Sequence, residues 1–343
     1  MGSAVQAARL AAQLLSGRPA RGPAAVAQQL LAVQAQDLPG VRLAIRARTS
    51  GLTASSVDRA LTDDRSILIT WLNRGTLHLV RTEDYAWLHA LTTPQLATGN
   101  ARRLAQEGVS PAAADRGVAV IERSLEKEGP LTRQQLKDRI GAAGVPTKGQ
   151  ALVHILMLSA LRGITVRGPI VGSDHAYVLV RDWLDEPPPI DRDPALAELA
   201  RRYLRGHGPA EDRDLARWAG IPLRDARAGL RAIESELDER SDGLVALPGL
   251  AIPPELPPPR LLGQYDPMLL GWFSRAPILG AHSSDIVGNG LFRPFALVRG
   301  RAVGLWKISE GRVALSPFAP LKRVDRVALE ADAADVIRFL DRS

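Results

Sequence analysis

The stretch EGPLTRQQL (128–136) decides how this chain is read, because it returns in altered form as HGPAEDRDL (207–215). Each copy runs Gly-Pro, then a polar residue able to cap a helix, then a short helix reaching a leucine. A second helix follows each copy, PTKGQALVHILMLSALRG in one and PLRDARAGLRAIESEL in the other. Pro146 and Pro222 stand where a first helical turn accepts proline. Each copy then enters a β-rich tail, ITVRGPIVGSDHAYVLV or LDERSDGLVALP. In the first tail a glycine- and aspartate-containing turn separates two β-branched runs, as in a hairpin. Helix, turn, second helix and hairpin make the winged form of the helix-turn-helix.

The N-terminal part fits the same plan more loosely. AARLAAQLLSG, PAAVAQQLLAV and LTASSVDRALTD read as three helices, the third with Thr53 as its cap. SILITWLNRGTLHLV then alternates as two strands around a turn at 72–75, and Thr82, Glu83 and Asp84 open another helix. The proline-dense stretch PGLAIPPELPPP (248–259) predicts an extended linker. Beyond it, FRPFALVRG, RAVGLWKIS and GRVALSPF are short alternating runs with glycine turns, followed by an amphipathic helix in EADAADVIRFLDRS. The predicted fold is mainly α with β: three tandem winged-helix units at 1–105, 106–190 and 191–250, then a small antiparallel β-barrel with its helix at 260–343.

Composition agrees with a chain of several domains. The 343 residues exceed one ordinary core, and the apolar fraction of 45% is that of a globular protein. There is no cysteine, which removes disulfides and thiolate metal sites. The first residues lack a basic leader, and no run of about 18 apolar residues occurs; ALVHILMLSALRGITV is broken by His154 and Arg162. The expectation is a soluble, cytoplasmic protein with no membrane segment and no obligate protein partner. The net charge of +7 favours a polyanionic partner. Only 5 of the 44 basic residues are lysine, so GC-rich coding accounts for part of that excess.

Most candidate chemistries dissolve on inspection. AHSSD (281–285) holds Ser, His and Asp, but a triad is assembled from distant positions, so a polar loop is expected. The six histidines show no metal-ligand spacing, and no glycine-rich phosphate loop follows a strand. Asp63 and Asp64 read as a helix end. His78 on the wing strand is either a satisfied strand residue or a DNA contact.

One pair remains. Gln34 and Gln36 flank Ala35 in LLAVQAQDLPGV, where an apolar helix meets a turn. On a helix, residues two apart lie about 200° from one another and cannot converge; on an extended segment they share a side. Pro39 pushes Leu38 out of the α region, so the helix from Pro23 should end near Val33 or Gln34. The two amides then project together, offering donors and acceptors without charge. They can hold a water or read an edge. Alternatively Gln34 caps helix carbonyls while Gln36 is solvated.

Four stretches together resemble the AlkZ/YcaQ-type DNA glycosylases: VQAQDLPGVRLAIRAR, WLNRGTLHLV, HGPAEDRDLARWAGI and GLFRPFALVRGRAVGLWK. Their order and spacing run along nearly the whole chain. That family is built from tandem winged helices and a C-terminal β-barrel, with a Gln-Φ-Gln or Gln-Φ-Asp element near a helix end. The resemblance puts the element on Gln34-Ala35-Gln36, in the Gln-Φ-Gln branch that unhooks interstrand crosslinks and removes bulky guanine adducts of natural genotoxins. It implies a DNA glycosylase acting on double-stranded DNA with alkylated guanine, with no metal or cofactor. Arg42, Arg46, Arg48, Arg74, His78, Asn289, Arg293 and Arg299 become candidate phosphate or groove contacts.

The chemistry suits two amides. Alkylation at N7 makes guanine cationic and a good leaving group, and breaking its glycosidic bond gives an oxocarbenium-like sugar. A positioned water and dipoles aimed at the developing charge then suffice. Gln36 is the candidate for orienting the water and Gln34 for stabilising the sugar cation, roles that could be exchanged. None of the five lysines is near the motif in sequence, so a lyase step is not expected. The competing reading is a non-catalytic winged-helix regulator, which would bind DNA and release no base.

Overall fold

A computed structural model of the chain describes residues 3–172, 174–186, 190–250, 252 and 257–341. Residues 251 and 253–256 of the expected proline linker, 187–189 of DEPPPIDRD, the hairpin residue 173 and the terminal 342–343 lie outside the described residues. The fold is mixed α and β and divides into two compact units.

One unit takes residues 58–192 and 219–221. Its hairpin pairs Ile67–Leu72 with Thr76–Arg81, Thr70 facing His78. Asn73 and Gly75 take φ of 53° and 78° to turn the chain. Ile67–Leu72 is buried at every position, so a run apolar but for Thr70, and not an alternation, is the operative pattern. The repeat copy at 128–136 becomes the strand Leu131–Thr132 and the helix Arg133–Ala142. Thr132 Oγ1 accepts the Gln135 N–H, and Gln135 Oε1 accepts the Thr132 N–H at 2.8 Å. This reciprocal box fixes where the helix starts. The helix Ala151–Leu161 and the hairpin Thr165–Val171 and Asp174–Leu179 follow. Pro146 lies in the loop before Ala151, not in the first turn.

The other unit takes residues 1–57, 193–218 and 222–343. Its early helices are Ser3–Ala12, Pro23–Leu30 and Leu38–Arg46. The second repeat copy lies between Arg192–His207 and Leu223–Ala232, with Pro222 at the N-cap position of the latter. Its tail pairs Asp238–Glu239 with Val245–Ala246.

The C-terminal strands differ from the expected barrel. They form a sheet in the order Arg312–Pro317, Arg301–Ser309, Phe295–Val298, Arg260–Leu262, and among the described residues no pairing joins its two edges. The helix Arg323–Leu340 supplies the cover instead. Leu329 and Val336 pack with Leu261, Ala296, Val298 and Trp306 in one buried cluster. A sheet whose apolar face is covered by a helix has no need to close on itself. Leu43 joins this cluster, which ties the helix Leu38–Arg46 to the C-terminal sheet.

Candidate active site

The glutamine pair sits between two fixed points. The helix Pro23–Leu30 ends four residues before Gln34, earlier than the sequence suggested. Leu31 takes φ 64° and ψ −46°, and the Ala32 N–H donates to the Leu30 carbonyl at 2.8 Å. That is a γ-turn of the rare positive-φ kind, which costs about 1–3 kcal/mol and persists only where the surroundings impose it. Leu30, Leu31 and Val33 are fully buried around it. Gln29 anchors the turn from behind, donating through Nε2 to the Ala12 and Arg205 carbonyls at 3.1 and 2.8 Å.

The chain leaves the turn extended through Val33–Gln34. Ala35 is buried at 4% exposure and Gln34 at 8%, while Gln36 is exposed. The pair therefore spans a gradient: one amide in a low-dielectric setting, the next in reach of solvent. The strand covers Val33–Gln34 alone and Gln36 stands at the bend that follows, so the extended reading holds for Gln34 and does not run through Gln36.

The second fixed point is the helix Leu38–Arg46. Asp37 caps it, its Oδ2 accepting the Gly40 N–H at 2.8 Å, with Pro39 in the first turn. Gly40 is obligatory: a Cβ there would lie 2.5 Å from the Gln264 carbonyl oxygen. The helix is then bolted down by charge. Arg46 donates to both carboxylate oxygens of Asp332 at 3.0 and 2.9 Å, to Asp335 at 3.0 Å and to the Leu261 carbonyl. Just beyond, Arg48 spends all five N–H groups on Asp266, Gln13 and the Ala44 carbonyl.

These contacts correct part of the expected DNA surface. Arg42, Arg46 and Arg48 are 7%, 3% and 1% exposed and present no free face to a phosphate. Arg46 and Arg48 hold the helix that follows the glutamines and the residues just beyond it. His78 is also buried, its Nδ1 against the Thr76 carbonyl at 2.9 Å. Burial, reinforced by Arg74, pushes its pKa down to about 3, so it is neutral and not a phosphate partner. Arg299 is half-exposed but makes a two-point pair with Asp325 at 3.0 and 2.9 Å. Asn289 and Gly290, with φ of 50° and 78°, form the two-residue turn between Val287–Gly288 and Leu291–Phe292. Arg293 beside that hairpin is exposed, and Arg74 at the other hairpin turn is half-buried.

Sequence reasoning missed the helix Leu38–Arg46, which its own signals announce: Asp37 as cap, Pro39 in the first turn, Gly40 at a close approach. It had no means of finding Asp266, Asp332 or Gln13, partners more than thirty residues away from the arginines they hold.

A family profile described as "DNA glycosylase AlkZ-like" matches residues 27–339, a span that begins before the glutamines and ends in the last helix. The chain belongs to the AlkZ-like DNA glycosylase family. A curated relative, the "Interstrand DNA cross-link repair glycosylase" of Streptomyces sahachiroi, is 28% identical over 96% of this chain and 94% of its own length. The solved structure "Streptomyces sahachiroi DNA glycosylase AlkZ" superposes with a TM-score of 0.78 at 26% identity, covering 98% of this chain and 96% of that one. Similarity over the full length, and not in one module, makes this AlkZ-like chain a DNA glycosylase and disfavours the regulator reading. Among the described residues no helix is long and apolar enough to cross a membrane.

Proposed function

We propose that this chain hydrolyses the N-glycosidic bond of N7-alkylguanine-type lesions in double-stranded DNA, including bulky adducts and interstrand crosslinks. One observation carries the proposal: Gln34, ending a short strand, and Gln36, at the bend after it, stand on a segment fixed on one side by the Leu31 turn and on the other by the helix bolted through Arg46 and Arg48. A site that works by dipoles needs such rigidity, because a preorganised group costs no reorganisation when charge develops. Gln36, exposed, is suited to orient the attacking water. Gln34, buried, is suited to turn its carbonyl dipole on the sugar cation, where low dielectric strengthens it. The name of the Streptomyces relative supports crosslinks as substrates. No lysine nucleophile is invoked, so the reaction is a simple hydrolysis.

The order of helix, short strand, two helices and hairpin at 111–179 supports the winged-helix reading of 106–190. The bridge between Ala210 and Val245 gives 191–250 a similar start. The N-terminal unit at 1–105 and the C-terminal unit at 260–343 complete the proposed organisation. Arg74, Asn289, Arg293 and the exposed part of Arg299 remain the proposed groove and phosphate contacts. Incubation with duplex DNA holding N7-alkylguanine, followed by alkali, tests the proposal. Strand breaks at the lesion are expected, and their absence with intact DNA binding would return the chain to the regulator class.

A further inference from the structure

Phe273 keeps 54% of its surface exposed, while the preceding Trp272 is 4% exposed. The ring is not loosely held. Its backbone N–H donates to the buried Asp214 carboxylate at 2.8 Å, and Trp272 Nε1–H donates to the His207 carbonyl at 2.9 Å. Two residues on, Arg275 Nε–H donates to the Leu269 carbonyl at 2.7 Å. A fixed backbone thus holds an apolar ring out in water, an arrangement that marks an interaction surface.

The ring's neighbours say which kind. Arg213 and Arg217, four residues apart in the helix Asp212–Ala219, are exposed, and each guanidinium lies 5.7 Å from the Phe273 ring centre. Glu211 accepts from Arg213 at 3.0 and 3.2 Å, which holds that guanidinium beside the ring. Arg275 lies over the Phe292 ring at 5.0 Å, extending the same mixture toward the Leu291–Phe292 strand. An apolar peptide would call for apolar flanks; here Arg213 and Arg217 flank the ring. An aromatic face set among cations is the chemistry of a nucleobase stacked beside its phosphates.

We propose that Phe273 is a stacking platform for a nucleobase displaced from the duplex, with Arg213 and Arg217 on the flanking phosphates. This rests on the glycosylase reading, which supplies DNA as the partner. The platform belongs to the same framework as the glutamine motif: Gly263 and Gln264 pack against Gly40, and Asp266 is held by Arg48. One open ring can take a base on one face without enclosing it, so it serves a lesion that stays tethered to both strands.

Undamaged DNA tests this apart from catalysis. The probe is a duplex with one bulged 2-aminopurine, compared with the fully matched duplex. Wild-type protein should prefer the bulge and quench its fluorescence by stacking. Phe273→Ala should bind the matched duplex within about twofold of wild type while losing about tenfold on the bulge, together with the quenching. Phe273→Trp should restore both. Replacing Arg213 and Arg217 together by alanine should flatten the salt dependence by about two units of slope. Absence of a bulge preference in wild type, equal weakening of Phe273→Ala on both DNAs, or failure of Phe273→Trp to restore quenching would each overturn the proposal. Excision of N7-alkylguanine by the same proteins is read separately, so loss of the platform and loss of the catalytic reading give different results.

Discussion

Arg48 and Asp266 face each other through two parallel hydrogen bonds of 2.9 and 2.8 Å, with neither side chain exposed to solvent. Removing one partner strands a buried charge, which costs about 3–5 kcal/mol. Asp266→Asn should therefore lower the urea and thermal midpoints sharply. Arg48→Lys should do so as well, because an ammonium cannot make the two-point contact or reach Gln13 and Ala44 together. DNA affinity per folded molecule should stay near wild type. A large loss of DNA binding without loss of stability would return Arg48 to the contact surface.

The glutamines should behave in the opposite way. Gln34→Ala and Gln36→Ala each remove a polar group from a fixed backbone, and each should slow single-turnover base release by about 10²–10³. Melting temperature and DNA affinity should change little for Gln36→Ala, whose side chain is exposed. Gln34→Ala should cost somewhat more stability, since that residue is buried. Wild-type rates in both variants would remove the pair from the chemistry.

The difference between the arginines and the glutamines marks the boundary of what the sequence can say. Local signals were legible: the Thr132 and Gln135 box and the turn at 72–76 are written in adjacent residues. Pro39 predicts Leu38 outside the α region, but Leu38 opens the helix Leu38–Arg46, because proline is accepted in a first helical turn, and only Val33–Gln34 is strand. The Leu31 turn was not legible, because nothing in a leucine announces positive φ; packing imposes it. Nor were Arg46 and Arg48, whose partners lie 286 and 218 residues away. An arginine in a basic chain looks like a phosphate contact until its carboxylate is located. The open sheet was misread for a related reason. Short alternating runs specify strands, but whether the sheet closes depends on the helix Arg323–Leu340 covering its face.

His78 makes stability depend on pH. Burial depresses its folded pKa to about 3, against 6.5 in the unfolded chain. Between those values the unfolded state binds the extra proton, so stability rises with pH across that window and is fully present above about 6.5. His89 is depressed by burial in the same direction. Acidification from pH 7.5 to 5 should lower the melting temperature of wild type, with a slope approaching about 1.4 kcal/mol per pH unit from His78 alone. His78→Asn retains a donor near the Thr76 carbonyl and should be less sensitive over the same range. Identical pH profiles for the two proteins would show that His78 is hydrated in the fold.

Salt dependence should separate surface arginines from structural ones. Arg293 is exposed beside the Asn289 hairpin, whereas Arg46 is held by Asp332 and Asp335. Arg293→Ala should make the slope of log affinity against log salt less negative by roughly 0.9, the signature of one lost phosphate contact. Melting should be unaffected. In Arg46→Ala the slope should stay as in wild type while stability falls. Equal slopes for wild type and Arg293→Ala would take that hairpin's arginine off the DNA.

If the amide pair is the catalytic site, as proposed, it limits which lesions can leave. Neither Gln34 nor Gln36 can donate a proton as an acid, so a site built on them should favour a leaving base that already carries positive charge. N7-alkylated guanine does; 8-oxoguanine does not. Bulk on the far side of N7 should matter little, because Gln36 is exposed and the residue between the amides, Ala35, is small. A large N7 adduct, or an N7–N7 crosslink, should be released within about tenfold of the rate for 7-methylguanine, a spread of roughly 1.4 kcal/mol in barrier. 8-Oxoguanine should be released far more slowly than any of them. Single-turnover excision on one duplex sequence, with the three lesion types in the same position, gives the comparison. Rapid 8-oxoguanine release would require a general acid that the glutamine pair does not contain. Rapid 7-methylguanine release with none from the bulky adducts would mean a closed pocket around the base, which the exposure of Gln36 argues against.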